Sequence, residues 1–189
     1  LDSKINGLVW VLYNLFHFFS DKSETFNNYT NIAVNKPTYQ FGPGLSGKAV
    51  DGNTDGSWYG GSCFAAVGNT NERPWWIVDL GKSYKVHRIV IWNRLDCCGD
   101  RLHDFAIDIG CEFDGVNADS PSWSRAYFHS GTPGSNPTTI SFPQPPVGRF
   151  IKITNAVENN SADPSDDTLT MCELQVYAGN ADCQCENGI

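Results

Sequence analysis

No stretch of this chain reaches the ~18 consecutive apolar residues that a membrane-spanning helix requires. The nearest, GLVWVLYNLFHFF over residues 7–19, is interrupted by Asn14 and His17 and lacks the cleavage site of a signal peptide. A membrane is therefore not an expected partner. Basic residues are scarce: 13 lysines and arginines stand against 21 aspartates and glutamates, a net charge of −8 with pI ≈ 4.8. That balance argues against nucleic acid, which selects Lys/Arg-rich surfaces, and is compatible with calcium. Catalytic signatures are missing too. There is no HExxH, no Gly-rich phosphate loop opening a helix, and no nucleophile elbow with a partnering histidine. The carboxylates are scattered and single out no glycosidase pair, so a hydrolase is the weakest reading and a non-enzyme is expected. None of the cysteines forms a CxxC pair, which removes the usual zinc spacing and the thioredoxin-type motif.

What the chain does contain is aromatic and turn-forming. Of 189 residues, 13% are aromatic, 18 are glycine and 10 are proline, a mixture that suits a turn-rich β protein. The runs WWIVDL (75–80), YKVHRIVIW (84–92), FAIDIG (105–110), TTISF (138–142), GRFIKITNA (148–156) and TMCELQVYA (170–178) alternate apolar and polar residues between Gly, Pro, Asn and Asp. Many short strands without intervening helices predict an all-β fold, an antiparallel sandwich or barrel, over residues 31–179. Ahead of it, Ile5, Leu8, Val9, Leu12, Phe16 and Phe19 recur at helical spacing. They predict an N-terminal apolar helical extension over 1–30, packed on its own domain or on a neighbouring copy. Residues 180–189 form a polar, cysteine-containing tail. The chain begins at Leu1 rather than methionine, which suggests processing or a piece of something longer.

Seven cysteines (Cys63, Cys97, Cys98, Cys111, Cys172, Cys183 and Cys185) accompany two glycosylation sequons, at Asn28 and Asn159. Together they favour a secreted, extracellular, disulfide-bearing glycoprotein.

The segment NRLDCCGDR (93–101) sets two neighbouring cysteines between two arginines. A Cys97–Cys98 bond would close an eight-membered ring. Adjacent Cα atoms are at most about 3.8 Å apart, so the ring is expected to force a distorted or cis peptide and to form a stiff patch of sulfur and methylene. The alternative is that each cysteine pairs elsewhere or stays free. Arg94 and Arg101 present fixed donor forks without acceptors and suit oxygen-rich ligands, while Asp96 lies near enough in sequence to hold a guanidinium. A plain surface salt bridge is the competing reading.

The run from Arg94 to Arg101, with its R-x-D-x4-R pattern and adjacent cysteines, resembles the signature of the F-type (fucose-binding) lectins. GNTDGSWYGGSC (52–63), RPWWIVDLGKSYKVHRIVIWNR (73–94) and MCELQVYA (171–178) match other parts of that family in order. The resemblance covers about residues 32–178. It implies a jelly-roll β-sandwich of the galactose-binding-like, discoidin-related superfamily, with binding loops at one end and fucosylated or related glycans as partners. Arg94 and Arg101 match the family's two basic positions, Cys97 and Cys98 its vicinal disulfide, and Trp58 and Tyr59 its aromatic contacts. The family pairs the cysteines at Cys63 and Cys172. It also implies a structural calcium site with Asp51, Asn53, Ser62 and Glu173, joined by the backbone carbonyls of Lys48 and Cys172. DGNTDG (51–56) resembles the opening of an EF-hand loop, but Ser62 stands where the bidentate glutamate belongs, and the EF-hand reading fails. Asp/Asn turns bonded to their own backbone are the alternative use of this segment.

One departure bears on function. The family's sugar-binding histidine is expected two residues after the loop cysteine, and Cys63-Phe64-Ala65 has alanine there. His103 could replace it only if its loop folds back. Altered or weakened sugar specificity is therefore expected. The runner-up from another class is a structural, cell-adhesion or assembly module that keeps fold and calcium without binding sugar. It would form homo-oligomers or a larger extracellular assembly through the N-terminal helix and the spare cysteines. One tail cysteine is expected to reach Cys111.

Overall fold

The computed structural model describes residues 29–68, 72–119, 122–155 and 167–181. The helical face expected within 1–30, the sequon residues Asn28 and Asn159, and the tail cysteines Cys183 and Cys185 lie outside the described residues. Among the described residues nine strands follow in order: β1 (Thr38–Gln40), β2 (Phe64–Val67), β3 (Trp75–Trp92), β4 (Phe105–Gly110), β5 (Trp123–Phe128), β6 (Thr138–Ser141), β7 (Val147–Asn155), β8 (Thr168–Met171) and β9 (Glu173–Asn180). All pairings are antiparallel. Helical structure among the described residues is confined to short 3-10 turns at Ser46–Val50, Trp58–Gly60 and Gly99–Arg101. None is long and apolar enough to cross a membrane.

The strand that organises the sandwich is β3. Sequence periodicity predicts two strands, 75–80 and 84–92, yet the chain passes through Gly81 without reversing. Gly81 adopts φ +89°, a left-handed conformation that costs glycine little, and the register shifts between Asp79 and Tyr84. The first half of β3 pairs with β1 and β7; the second half pairs with β9 and β6. One long strand thus joins a five-stranded layer, β1-β3-β7-β4-β5, to β6 and β9 in a single seven-stranded sheet, with β2-β8 as a separate pair. The single run predicted over 170–178 divides at Cys172, because β8 pairs with β2 whereas β9 turns to β3.

Alternation decides the core. Trp76, Val78, Leu80, Val86, Ile89 and Ile91 of β3 meet Phe105, Ile107, Ile151, Ile153, Leu169 and Val176 in one buried cluster. The odd-numbered Trp75 and Ile77 point to the opposite face, where Phe113 and Ala118 from the loop after β4 cover them. The five-stranded layer is therefore apolar on both faces. That explains why WWIVDL reads as a continuous hydrophobic run rather than a clean alternation.

Cys63 and Cys172 are disulfide-bonded across 109 residues, tying the entry of β2 to the junction of β8 and β9. Reducing a loop of this length to a cross-link stabilises by about 4.7 kcal/mol in the chain-entropy treatment. Cys111 is also disulfide-bonded. Replacing Cys63 and Cys172 together by serine is expected to lower unfolding free energy by about 2–5 kcal/mol, read from the urea midpoint. A shift within measurement error would show that β2 and β8 are held by packing alone.

Candidate binding site at the loop end

Where β3 ends and β4 begins, the chain makes the turn that carries the vicinal cysteines. Cys97 and Cys98 are bonded to each other, with their Cα atoms 3.8 Å apart. That is the spacing of a trans peptide, so of the two expected links the cis form is not used. The adjustment falls on Cys98, which sits at φ +57°, a region that non-glycine residues rarely occupy. Cys97 is exposed and Cys98 partly so, which leaves the sulfur ring open to solvent.

Around the ring, three asparagines hold the loop. Asn93 donates its side-chain N–H to the Gly99 carbonyl at 2.7 Å, its own N–H goes to Asn136 Oδ1 at 2.9 Å, and its Oδ1 accepts from Arg94 N at 2.7 Å. Asn155, fully buried at the end of β7, donates to the carbonyls of Arg101 and Thr168 at 2.9 and 3.3 Å. None of these was a sequence candidate. Asparagine is common in loops, and only the pairing of strand ends shows that these three face the same turn.

Asp96 is the local organiser. Arg94 Nε donates to its Oδ1 at 2.6 Å and Arg94 Nη2 to its Oδ2 at 3.4 Å. The backbone N–H groups of Cys97 and Trp58 donate to the same carboxylate at 3.0 and 3.1 Å. The Arg94 guanidinium, helped by these N–H groups, holds the Asp96 carboxyl below the usual carboxylate range. Arg94 lies 4.8 Å beneath the Trp58 ring centroid, a cation–π distance, and is only 9% exposed. Trp58 itself is 38% exposed. Arg94, Asp96, Trp58 and the sulfur ring are thus brought into one group. Arg101 contributes a half-buried cation from the adjacent 3-10 turn, its side chain engaging none of the described residues through a hydrogen bond or ion pair. Tyr59 does not join them: it is 92% exposed, without a ring or hydrogen-bond partner among the described residues. His103 turns to Asp104 at 3.2 Å, and Ala65 occupies β2 opposite Thr170, so the described residues bring no histidine to the group.

The segment 51–57 lies against this loop. Asp51, Asn53 and Asp55 each accept the N–H two residues on, at 2.9, 3.0 and 3.1 Å. These are the Asp/Asn turns that the composition allowed. Gly56 then approaches Leu95 so closely that an added Cβ would fall 2.6 Å from the leucine side chain, and its carbonyl accepts from Leu95 N at 2.8 Å. Turns alone do not account for Glu173. It is fully buried, with Oε2 accepting from Gly52 N at 3.2 Å and Oε1 without a hydrogen-bond partner among the described residues. Burial, with the charge of Asp51 nearby, pushes its carboxyl up to about 7. A cation beside Glu173 and Asp51 would relieve both the unpaired oxygen and the repulsion, and a hard ion with oxygen ligands suits that donor set. Ser62, also buried, directs its hydroxyl at the carbonyls of Asp55 and Ser57. Asp51 Oδ2 sits 3.5 Å from Lys48 Nζ. Among the described residues no group of three or more His, Cys, Asp and Glu side chains forms a metal site. The set implied here includes only two carboxylates, the rest being neutral oxygens.

The family model for a NedA-like galactose-binding domain matches residues 48–153. A fucolectin of Anguilla anguilla is 34% identical over 129 residues, 68% of this chain and 73% of that protein. Among solved structures, an F-lectin (fucolectin) from striped bass (Morone saxatilis) serum superposes with TM-score 0.66 at 32% identity, covering 80% of this chain and 49% of that one. The chain thus spans about half of the bass protein. A fucose binding module of Streptococcus pneumoniae gives TM-score 0.62 at 26% identity, covering 78% of this chain and 97% of the module. Fold and loop end together define a galactose-binding-type β-sandwich. Within that class, the chain belongs to the F-type lectin family.

Replacing Asp96 by alanine is expected to release Arg94 and let Trp58 swing outward. The Trp58 indole and Arg94 Nε–H resonances should shift and broaden while the thermal midpoint stays nearly unchanged. Unmoved resonances would mean that packing, not the carboxylate, sets the Arg94 rotamer.

Proposed function

We propose that the chain is a non-catalytic, extracellular lectin domain, supported by calcium, that takes a fucose-type sugar at the 93–101 loop. One observation carries this reading: Arg94 is fixed by Asp96 beneath Trp58, beside the exposed Cys97–Cys98 ring. Arg94 Nη1 and the Arg101 guanidinium supply donors to ring and hydroxyl oxygens. The sulfur ring and the outer indole face supply apolar surface for the C–H face and methyl of a 6-deoxy sugar, a contact of about 0.5–1.5 kcal/mol beyond burial. The relatives named for fucose support the choice of sugar, and the striped bass lectin comes from serum. The disulfides agree with an oxidising compartment, in which Asn28 and Asn159 would accept glycans.

Calcium would supply positive charge beside Glu173 and Asp51, where the 51–57 segment meets the sandwich. Asp51, Asn53, Ser62 and Glu173, with the carbonyls of Lys48 and Cys172, are the residues to hold it. Ala65 favours a second reading. With alanine at the histidine position and His103 turned to Asp104, the site lacks one charge-assisted donor. Such a loss costs about 1.5–3 kcal/mol, or ten- to a hundredfold in affinity. The alternative is an adhesion or assembly module with the same fold.

Calorimetry with L-fucose separates the two. Binding in the millimolar range or tighter, lost in Arg101→Ala, is expected; heats absent even at high sugar concentration would favour the assembly module. For calcium, EDTA is expected to lower the melting temperature by several degrees and calcium to restore it. Superimposable melting curves with and without chelator would eliminate the metal.

A further inference from the structure

A hollow of 680 Å³ opens on the outer face of the five-stranded layer, away from the 93–101 loop. Its wall is the loop after β4, folded back over β1, β3 and β7. Its apolar part is aromatic: Tyr39 meets Phe113 edge-on at 5.2 Å, and Phe113 meets Phe150 at 5.9 Å. Gly115 at φ +90° carries the loop past Tyr39, whose ring would lie 3.9 Å from an added Cβ. The polar part is built around an ion pair. Asp79 accepts from Nε and Nη2 of Arg149, both at 2.7 Å, and the guanidinium lies 4.8 Å over the Phe150 ring. Arg149 is therefore held rigid, with its side chain 43% exposed and Nη1 engaged by none of the described residues.

Acceptors face these donors. Glu112 is exposed and its carboxylate engages none of the described residues. Asp114 uses Oδ1 for the N–H groups of Val116 and Asn117, at 2.8 and 2.7 Å, leaving Oδ2 open. The Tyr39 hydroxyl has no hydrogen-bond partner among the described residues either, and the residue lies within electrostatic reach of Arg149. An aromatic floor beside a fixed guanidinium, with open carboxylate and hydroxyl groups around it, matches a polyol with one C–H face. Three carboxylates against one guanidinium exclude a ligand that carries negative charge.

We propose that this hollow is a second saccharide site, taking a pyranose without negative charge, independent of the loop site. It goes beyond the lectin reading and stands whether or not fucose binds at Arg94 and Arg101. The test uses the full chain carrying Arg101→Ala, titrated with D-galactose, N-acetylglucosamine and glucuronate while the amides of Gly115 and Asn117 and the Nε–H of Arg149 are followed by NMR. Saturable shifts with at least one of the two uncharged sugars, and none with glucuronate, are expected. Adding Tyr39→Phe and Glu112→Ala, which remove a hydroxyl and an exposed carboxylate without touching the core, should weaken that binding about tenfold. The proposal is overturned if neither uncharged sugar moves these resonances, if glucuronate moves them equally, or if the double substitution leaves the affinity unchanged.

Discussion

The loop end of this domain depends on a single carboxylate. Asp96 accepts from a guanidinium of its own loop and from the backbone N–H of Trp58, 38 residues earlier in the chain. Beyond one short 3-10 turn each, neither loop has regular structure to hold it. A point of charge that binds one loop by its side chain and the other by its backbone converts two irregular segments into one surface. The cation–π contact between Arg94 and Trp58 follows from it, because the guanidinium is already pinned edge-on when the indole settles over its face.

Beneath this surface the scaffold is rigid for ordinary reasons. The length of β3 joins the five-stranded layer to β6 and β9, and the Cys63–Cys172 bond joins the strand pair β2-β8 to that frame. Loops carried on such a frame lose little further entropy when a sugar orders them, which matters for ligands that offer only a few hydrogen bonds. The strain at Cys98 has the same sense: a backbone conformation unfavourable in isolation is maintained by Asn93, Asn155 and the sulfur ring.

Much of this was legible in the sequence. Alternation and β-branched runs marked β3, β4, β6 and β7, because half-buried strands write their two faces into the residue order. β1, β2 and β5 were missed: TYQ and FAAV are too short to show a period, and WSRAYF is only partly buried along its length. Cys97, Cys98, Arg94 and Asp96 stand out in the sequence because the R-x-D-x4-R spacing with adjacent cysteines is rare, and Trp58 because it lies in the matching GNTDGSWYGGSC segment; the structure brings Trp58 onto Arg94. Trp58 and Tyr59 were named together because both fall where the family places aromatic contacts; in the structure Trp58 packs on Arg94 while Tyr59 is exposed. Asn93, Asn136 and Asn155 escaped notice since their role is set by tertiary pairing alone. The outer-face hollow was equally invisible, its residues coming from four separate segments.

The buried Glu173 connects the two halves of the loop end. Its Oε2 receives the Gly52 N–H, and Gly52 opens the ladder of turns through Asn53 and Asp55 to Ser57, which caps the turn bearing Trp58. From Gly56 the carbonyl reaches Leu95, next to Asp96. A charge placed at Glu173 would therefore reach the turn bearing Trp58 through hydrogen bonds of 3.0–3.3 Å and the chain between them, without touching it. In the calcium reading the ion would order the segment that positions Trp58, so its removal should cost affinity as well as stability. An ion that merely neutralised a buried acid would change the melting point and leave the loop end as it was.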